Sequence, residues 1–314
     1  MKITLYPPLS IHEIGQRDNQ EDALWPLQPT SDSKLFILCD GMGGHEHGEV
    51  ASQTVSQAIG EWFTTNAVEP LTKFQIEEAL AYAYNKLDEK DGGEFRKMGT
   101  TLTLLYIGNT GVFAAHMGDS RIYHMRPELG VLYQSRDHSL VFDLFQSGEI
   151  TYEEMSNFAQ KNIVTRAMTP GEGNRMRPDI IHITDVQPDD YFYLCSDGML
   201  EQMSNEELVS LLSSDKTDEE NREQLISATA NNQDNHSAYL IHIKDVIREK
   251  GDEELVNEEL VNEEPTARCN AINIIPHSIS ETDDDVVIVK ESPKKKSFQQ
   301  RLKQLILSIL SRKK

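Results

Sequence analysis

Two short apolar runs in this chain each end in an aspartate that glycine follows directly. KLFILCDG covers residues 34–41 and YFYLCSDG covers residues 191–198. Both runs have the length and composition of buried β-strands. An Asp-Gly pair after one strand is usually a turn signal. Two such pairs, each placing a carboxylate beside a glycine carbonyl, predict a hard-cation site if the fold brings the strand ends together.

The remaining apolar patterns predict an α+β domain. Three further runs of strand composition follow one another through short turns, at residues 101–107, 111–117 and 121–125. This spacing predicts an antiparallel meander. Helical periodicity covers residues 48–63 and 76–90. In the first helix it places four large residues near one face, namely Val50, Val55, Ile59 and Trp62. Long helices between meanders, rather than strict βαβ alternation, favour an antiparallel fold.

Charge and cysteine content exclude several classes of protein. The 314 residues include 52 acids and 30 Lys or Arg, and the formal charge of -22 disfavours a nucleic-acid partner. Cys39, Cys195 and Cys269 form no CxxC pair, which indicates a reducing compartment rather than a disulfide framework. The sequence has no signal-peptide h-region and no run of about 18 apolar residues. We therefore expect a cytoplasmic protein.

Composition divides the chain into three parts, residues 1–247, 248–293 and 294–314. The first part holds the predicted strands and helices and is expected to form one domain. The second part is acidic, contains EELVN twice in tandem, and is predicted to be mostly disordered. The charge then reverses, because residues 290–314 carry nine Lys or Arg and one acid, Glu291.

The last part, residues 294–314, has the pattern of a basic amphipathic helix. Its large apolar residues fall on one helical face, at Phe298, Leu302, Leu305 and Ile309. A short helix of this kind suits an anionic membrane surface or a partner's groove. Folding back onto the acidic linker is an alternative of equal weight. Peripheral membrane association through the tail is therefore one open possibility beside the expected cytoplasmic location.

Seven short motifs occur in order along the first four-fifths of the chain. They are RDNQED (17–22), DGMGG (40–44) continued by GEVAS (48–52), GTT (99–101), GDSR (118–121), DHSL (137–140), SDG (196–198) and DN (234–235). In this combination and order the chain resembles the PP2C (PPM) family of phosphatases in its bacterial form. The resemblance covers about residues 10–245 and does not extend to the tail.

The resemblance implies a fold and an activity. The fold would be an α-β-β-α sandwich, two antiparallel sheets flanked by helices, with metals in a cleft at one end. The activity would be that of a protein serine/threonine phosphatase acting on phosphoserine and phosphothreonine. The cofactors would be two Mn²⁺ or Mg²⁺ ions, with a third in bacterial relatives, and a metal-bridging hydroxide would be the nucleophile. The partners would be phosphorylated proteins, the targets of a bacterial-type serine/threonine kinase.

The resemblance also assigns the metal ligands. Asp40 would bridge two ions, and the Gly41 carbonyl would bind one of them. Asp197 and Asp234 would hold the other ion. None of these predicted ligands is replaced in the sequence, which argues against an inactive member of the family.

Four further residues receive roles from the same resemblance. Glu21 and Asp22 would act on the metals directly or through bound waters, since Mg²⁺ and Mn²⁺ usually keep several waters. Asp119 would join Asp197 in holding a third, weaker ion. Arg17 would clamp the substrate phosphate, because a guanidinium fork suits phosphate oxygens. Arg17 and Asp40 are thus the predicted catalytic residues.

Other candidate chemistry is weaker. Neither Cys39 nor Cys195 begins a CxxxxxR loop, so a thiol phosphatase is not indicated. The run Asp137-His138-Ser139 contains the residues of a hydrolase triad. Triad members are rarely adjacent in sequence, so a structural turn is favoured. Thr100 and Thr101 are expected to act through strand packing. Residues 143–178, including Asn162 and Arg166, match the family's flap and would shape substrate choice or simply pack.

Two other functions stay open at this point. One is a non-catalytic phosphatase-like scaffold whose acidic linker and basic tail recruit partners. Mn²⁺ titration with a generic phosphoester separates it from an enzyme. The other is a phosphatase of another phosphoester, such as a small metabolite. Comparing rates on phosphopeptides and metabolite phosphates distinguishes that one.

Overall fold

The computed structural model describes residues 1–43, 46–92, 98–156, 158, 160, 163–214 and 216–248. The predicted basic tail, and the predicted acidic linker apart from Arg248, lie outside these residues. The strands are β1 (Lys2–Leu5), β2 (Leu9–Glu13), β3 (Asp22–Trp25), β4 (Leu35–Met42), β5 (Gly99–Thr100), β6 (Leu102–Ile107), β7 (Val112–Met117), β8 (Arg121–Arg126), β9 (Gly130–Gln134), β10 (Asp179–Ile183), β11 (Tyr191–Cys195) and β12 (His236–Ile247). The helices are α1 (Glu46–Asn66), α2 (Lys73–Lys90), α3 (Leu140–Gln146), α4 (Tyr152–Ser156), α5 (Asn205–Leu212) and α6 (Asp218–Thr229).

The strands form two antiparallel sheets. The first has the order β1-β12-β11-β8-β9, and β2 also pairs with β12. The second has the order β10-β7-β6-β4-β3, and β5 pairs with β4. The two predicted strand ends therefore belong to different sheets, since β4 lies in the second sheet and β11 in the first. Only the packing of one sheet on the other can bring their aspartates together.

The sheets pack face to face, and helices cover both outer faces. Successive residues of a strand point to opposite faces. Phe36 and Leu38 of β4 accordingly enter the core between the sheets, where they join Phe192 and Ile241 of the first sheet. Ile37 points the other way, into the core beneath α1 and α2. Residues of α5 and α6 pack on the outer face of the first sheet. The predicted α-β-β-α sandwich is confirmed.

The predicted meander is wrong at its third strand. β6 pairs with β7 as expected, but β8 pairs with β9 and β11 in the other sheet. The chain crosses between the sheets over residues 118–120, where Gly118 has a φ of +111°. Every residue of β7 is buried, and so are the four central residues of β8. Strands buried on both faces carry no alternation that would indicate the sheet they join.

The first long helix buries a narrower face than its periodicity predicts. Val55 and Ile59 are fully buried, whereas Val50 is 37% exposed. Five residues rotate a helix by about 140° beyond a full turn, so Val50 cannot share the face of Val55. α6 has no apolar stripe in its sequence and was not predicted. No helix within the described residues is long and apolar enough to cross a membrane.

Candidate metal centre between the sheets

β3 and β4 bring two of the predicted carboxylates side by side. Asp22 and Asp40 are directly opposed in the antiparallel register of these strands. Opposed residues have their Cβ atoms about 5 Å apart. Asp22 is 3% exposed. In the sequence each of the two aspartates lies at the edge of an apolar run. Pairing of β3 with β4 places their side chains next to each other.

The first sheet contributes Asp197 through a hydrogen bond that joins the two sheets. β11 ends at Cys195, and the next side chain, Ser196, donates from Oγ to Asp22 Oδ2 at 2.9 Å. Asp197 is the next residue, so it lies in the same cleft between the sheets as Asp22 and Asp40. Asp234 precedes β12, which pairs with β11 so that Ala238 opposes Cys195. Asp197 and Asp234 therefore lie at the same end of the first sheet.

A ladder of hydroxyl groups ties the crossover to Asp40. Thr101 Oγ1 accepts the Asp40 N–H at 2.9 Å and lies 2.7 Å from Ser120 Oγ. Thr100 Oγ1 donates to the Asp40 carbonyl at 2.9 Å. Asp119 sits in the crossover beside Ser120. The two threonines therefore do more than the strand packing that the sequence suggested, because their hydroxyls fix the backbone of Asp40.

The carboxylates of the cleft raise one another's pKa. Burial, followed by the charges of Asp22 and Asp197, raises the pKa of Asp40 well above its usual value. Burial and the charge of Asp197 raise the pKa of Asp119 to about 7. Burial and the charge of Asp234 raise the pKa of Asp197 to about 6. Negative charge gathered in this way is relieved by a bound cation.

Asp22 supplies the clearest sign that these residues fit a metal. Burial raises its pKa to about 7, even though Ser237 and Ser196 hydrogen-bond to the carboxylate. Its Oδ1 is buried and has no hydrogen-bond partner among the described residues. A buried acceptor of this kind calls for a donor or a cation. Carboxylate and carbonyl oxygens are the donors that Mg²⁺ and Mn²⁺ prefer, so the residues present fit either ion.

Glu21 and Gly41 lie where chain segments approach closely. The Gly41 N–H donates to the Glu21 carbonyl at 3.0 Å. A Cβ at Gly48 would lie 2.5 Å from Glu21 Oε2, so the carboxylate rests against the backbone near the start of α1. Asn235 Oδ1 accepts the Glu21 N–H at 2.8 Å. The asparagine of the DN motif thus links Glu21 to the loop that carries Asp234.

Arg17 reaches the rim of the cleft. Its Nη2 lies 2.7 Å from Asp234 Oδ2, and its side chain is 55% exposed. Glu201 stabilises the loop that carries Asp234, because its carboxylate accepts hydrogen bonds from the backbone N–H groups of Gln233 at 2.9 Å and Asp234 at 3.2 Å. Sequence reasoning missed Glu201. No local pattern marks it, since its partners lie 32 and 33 residues away.

The tightest group of potential ligands in the described part of the chain lies elsewhere. Donor atoms of His116, His138 and Asp179 come within 4.8 Å of one another. His138 Nδ1 accepts the Gly118 N–H at 3.2 Å, so its hydrogen is on Nε2, which faces Asp179 at 3.3 Å. That nitrogen has no lone pair for a metal. Arg166 Nη1, 2.9 Å from Asp179 Oδ1, adds a positive charge there.

The triad suggested by Asp137, His138 and Ser139 does not form. Asp137 pairs with Arg121 through two contacts of 2.7 Å. Ser139 caps α3 by accepting the Phe142 N–H. These contacts are structural, as the sequence favoured, but the predicted turn is wrong, since Ser139 is extended and forms a β-bridge with Val164. The segment that matches the flap, residues 143–178, includes the end of α3 and all of α4, and Asn162 lies outside the described residues.

Comparison with known proteins agrees with this architecture. The family model for protein phosphatase 2C matches residues 12–237. A putative protein phosphatase 2C-type from Streptococcus pyogenes serotype M6 is 33% identical over 236 residues, which cover 73% of this chain and 94% of that protein. The serine/threonine phosphatase stp of Listeria monocytogenes serovar 1/2a is 32% identical over 215 residues, 64% of this chain and 80% of that protein.

A solved structure shares the fold. It is the catalytic domain of the serine/threonine protein phosphatase PstP in complex with two manganese ions. The TM-score is 0.66 at 26% identity, and the match covers 78% of this chain and 100% of that chain. The family match includes every carboxylate of the cleft, from Glu21 to Asp234. On sequence and fold together, this chain belongs to the protein phosphatase 2C family.

Proposed function

We propose that this chain hydrolyses phosphoserine and phosphothreonine in proteins and that its cleft carboxylates hold a binuclear Mn²⁺ or Mg²⁺ centre. The proposal is carried by the convergence of Asp22, Asp40, Asp119 and Asp197 between the two sheets. Burial and mutual repulsion raise the pKa of each of these carboxyl groups. Four mutually repelling carboxyl groups gathered in one cleft are typical of a cation site rather than of a structural core.

The proposed ligands divide between the two sheets. Asp40 and the Gly41 carbonyl come from β4, and Asp197 and Asp234 come from the first sheet. Asp40 would be the ligand shared by the two ions, because it lies opposite Asp22 in the register of β3 and β4 and its carboxylate also interacts with the charges of Asp197 and Asp234. The remaining acids contribute directly or through water, namely Glu21 and Asp22, with Asp119 at a third ion. Bound ions would lower the pKa of a water to supply the nucleophile and would neutralise charge on the phosphate.

Arg17 is the proposed phosphate clamp. Its guanidinium is largely exposed at the rim of the cleft and is held there by Asp234. A guanidinium fork has five N–H donors, so the contact with one carboxylate leaves donors for phosphate oxygens. Arg17 therefore orients the phosphate group over the carboxylates while the peptide stays outside.

The central test replaces a proposed ligand without changing its shape. We expect Asp40→Asn and Asp197→Asn each to abolish Mn²⁺-dependent hydrolysis of a phosphoserine peptide, because an amide lacks the charge that a divalent ion requires. Circular dichroism and thermal unfolding in the presence of a chelator should show a folded protein, since each change also removes a like charge from the cleft. Wild-type turnover in either variant would contradict the proposal.

The substrate class needs a separate comparison. We propose that phosphorylated targets of a serine/threonine kinase are the substrates, so phosphoserine and phosphothreonine peptides should be hydrolysed faster than metabolite phosphates at equal concentration. A preference for metabolite phosphates, with Mn²⁺ dependence intact, would keep the metal centre but reject the protein substrate. Failure to turn over any phosphoester with Mn²⁺ bound would favour a scaffold.

A further inference from the structure

His138 makes two hydrogen bonds to a single glycine beside the cleft. Its backbone N–H donates to the Gly118 carbonyl at 2.8 Å. Its ring Nδ1 accepts the Gly118 N–H at 3.2 Å. The polar backbone groups of Gly118 are thus both satisfied by one residue, which is 4% exposed. Asp119, the proposed third-ion ligand, follows Gly118 directly.

The other side of His138 faces the segment that leads into β10. Its Nε2 lies 3.3 Å from Asp179 Oδ2 and 3.4 Å from Arg166 Nη1. Asp179 Oδ1 accepts from Arg166 at 2.9 Å. The Thr165 N–H donates to the His138 carbonyl at 2.7 Å. The imidazole therefore bridges two parts of the molecule, with the crossover turn on Nδ1 and residues 165–179 on Nε2.

The tautomer of His138 gives the two ring nitrogens different roles, because one accepts a hydrogen bond and the other donates one. A backbone N–H can only donate, so the hydrogen bond from Gly118 requires a lone pair on Nδ1. The ring hydrogen is consequently on Nε2, where an anionic partner, Asp179, accepts it. An anionic acceptor beside Nε2 keeps the ring hydrogen there and so leaves the lone pair of Nδ1 for the Gly118 N–H. The ring also stacks on His116 with a centroid distance of 4.7 Å, which limits its rotation.

We infer that His138 is a positioning residue, which sets the orientation of the Gly118–Asp119 turn and links it to residues 165–179. The inference rests on the proposed function, in which Asp119 binds the third ion. Gly118 has a φ of +111°, and a Cβ there would lie 2.6 Å from the Thr101 side chain, so the turn has no side chain of its own to hold it. The hydrogen bond from the Gly118 N–H to the imidazole of His138 instead holds the turn in place.

Two amide substitutions separate the two nitrogens of the ring. In His138→Asn, Oδ1 stands near the position of Nδ1 and keeps an acceptor for the Gly118 N–H. In His138→Gln, the terminal NH₂ stands near the position of Nε2 and keeps a donor for Asp179 while leaving the Gly118 N–H unpaired. We expect His138→Gln to weaken Mn²⁺ binding at the weakest site by about tenfold, as loss of a partner behind a metal ligand commonly does. His138→Asn should bind Mn²⁺ within about threefold of wild type.

Isothermal titration with Mn²⁺ in the absence of substrate measures the binding directly. The Mn²⁺ concentration that gives half-maximal phosphopeptide hydrolysis is the second readout. Thermal unfolding in chelator compares the stability of the two variants. Equal loss of Mn²⁺ affinity in both variants, in proportion to equal loss of stability, would show that the ring only fills space and would overturn the inference.

A double-mutant cycle with Asp119→Asn tests whether His138 acts through Asp119. We expect Asp119→Asn alone to remove the weakest Mn²⁺ site and His138→Gln to add nothing in that background. If both changes lower Mn²⁺ affinity and their effects multiply, His138 does not act through Asp119 and the inference fails while the third-ion site stands. If Asp119→Asn leaves Mn²⁺ binding unchanged, the third-ion role of Asp119 is rejected, and the inference falls with it.

Discussion

Gly198 shows how the cleft depends on the absence of a side chain. This glycine follows Asp197 and packs against the loop that carries Asp234. A Cβ on Gly198 would lie 2.1 Å from the Asn235 carbonyl oxygen and 3.3 Å from Asp234 Cβ. Its φ is ordinary, so the requirement is for close approach rather than for an unusual backbone conformation. Two proposed ligands from different loops can share one ion only because Gly198 lets their backbones meet.

We therefore expect Gly198→Ala to separate Asp197 from Asp234. The backbone must shift by several tenths of an ångström or more, so the variant should lose about 1–3 kcal/mol of stability and should bind Mn²⁺ more weakly. Urea unfolding in chelator gives the stability and calorimetric titration gives the Mn²⁺ affinity. Gly173→Ala is a matched control, because Gly173 and Gly198 both lie in short 3₁₀ helices, Glu172–Asn174 and Asp197–Leu200, and a Cβ on Gly173 would meet nothing within 4 Å. Equal Mn²⁺ affinity in the two variants would refute the role of close approach.

At the scale of elements, β7 carries a buried ring towards the crossover. His116 is 2% exposed, and its Nε2 lies 2.8 Å from the Arg136 carbonyl oxygen. Burial, and then the charge of His138, lower the pKa of His116 to about 4, although the Arg136 carbonyl, Asp179 and Asp137 act in the opposite direction. The folded protein thus holds this ring in its neutral form over most of the pH range in which a free histidine becomes protonated.

This lowered pKa predicts an acid-sensitive contribution to stability. Below about pH 6.5 His116 becomes protonated in the unfolded chain, whereas in the folded chain it stays neutral until about pH 4. The free energy of unfolding therefore falls as the pH falls through this window, by about 3 kcal/mol at most. His116→Gln keeps an N–H donor for the Arg136 carbonyl and cannot titrate. The variant should therefore lose less stability than wild type between pH 6.5 and pH 4.5 in urea unfolding with chelator. Parallel pH curves for the two proteins would contradict the assignment.

The elements also show how far the sequence predicts the fold. The two long helices and the strands that end in aspartate are all present, because each has a strong local pattern. The pairing of β8 with the other sheet was not predictable, since a strand buried on both faces gives no sign of its neighbours. α6 escaped prediction for a related reason. Its sequence is polar and buries few residues, so tertiary contacts rather than periodicity define it.

Across the whole molecule, the candidate site was largely predictable because its proposed ligands adjoin strand ends in recognisable motifs. Asp22, Asp40, Asp197 and Asp119 were each named from sequence, and the structure brings them to one cleft. The hydrogen bonds that support the cleft were not predicted. Glu201, His138 and the side chain of Asn235 act through hydrogen bonds to partners 20 to 221 residues distant. A local sequence motif can indicate a proposed ligand next to a strand, but it cannot indicate the distant residue that holds that side chain in place by a hydrogen bond.

The basic tail is the remaining part of the molecule with a testable role, and it lies outside the described residues. Its sequence has eight Lys or Arg and no acid over residues 294–314, whereas the whole chain carries a formal charge of -22. An acidic phosphatase domain would be repelled by an anionic bilayer, so any attraction must come from this segment. Two hypotheses for the tail stay open, binding to an anionic membrane surface or a partner and folding back onto the acidic linker. On the membrane hypothesis each basic residue near the surface contributes about 1 kcal/mol.

Co-sedimentation with vesicles tests the membrane hypothesis with the full chain. On this hypothesis the protein should sediment with phosphatidylserine-containing vesicles and not with neutral phosphatidylcholine vesicles, and should be released by salt because the attraction is electrostatic. Removing residues 290–314 should abolish sedimentation and leave phosphopeptide hydrolysis unchanged. Leu305→Ser and Ile309→Ser together form the matched control, because they keep the net charge of the tail but disrupt the apolar face. Loss of binding in this control would show that the apolar face is needed for membrane binding. Retained binding would show that the positive charge of the tail is sufficient. Equal sedimentation with and without residues 290–314 would remove the membrane role.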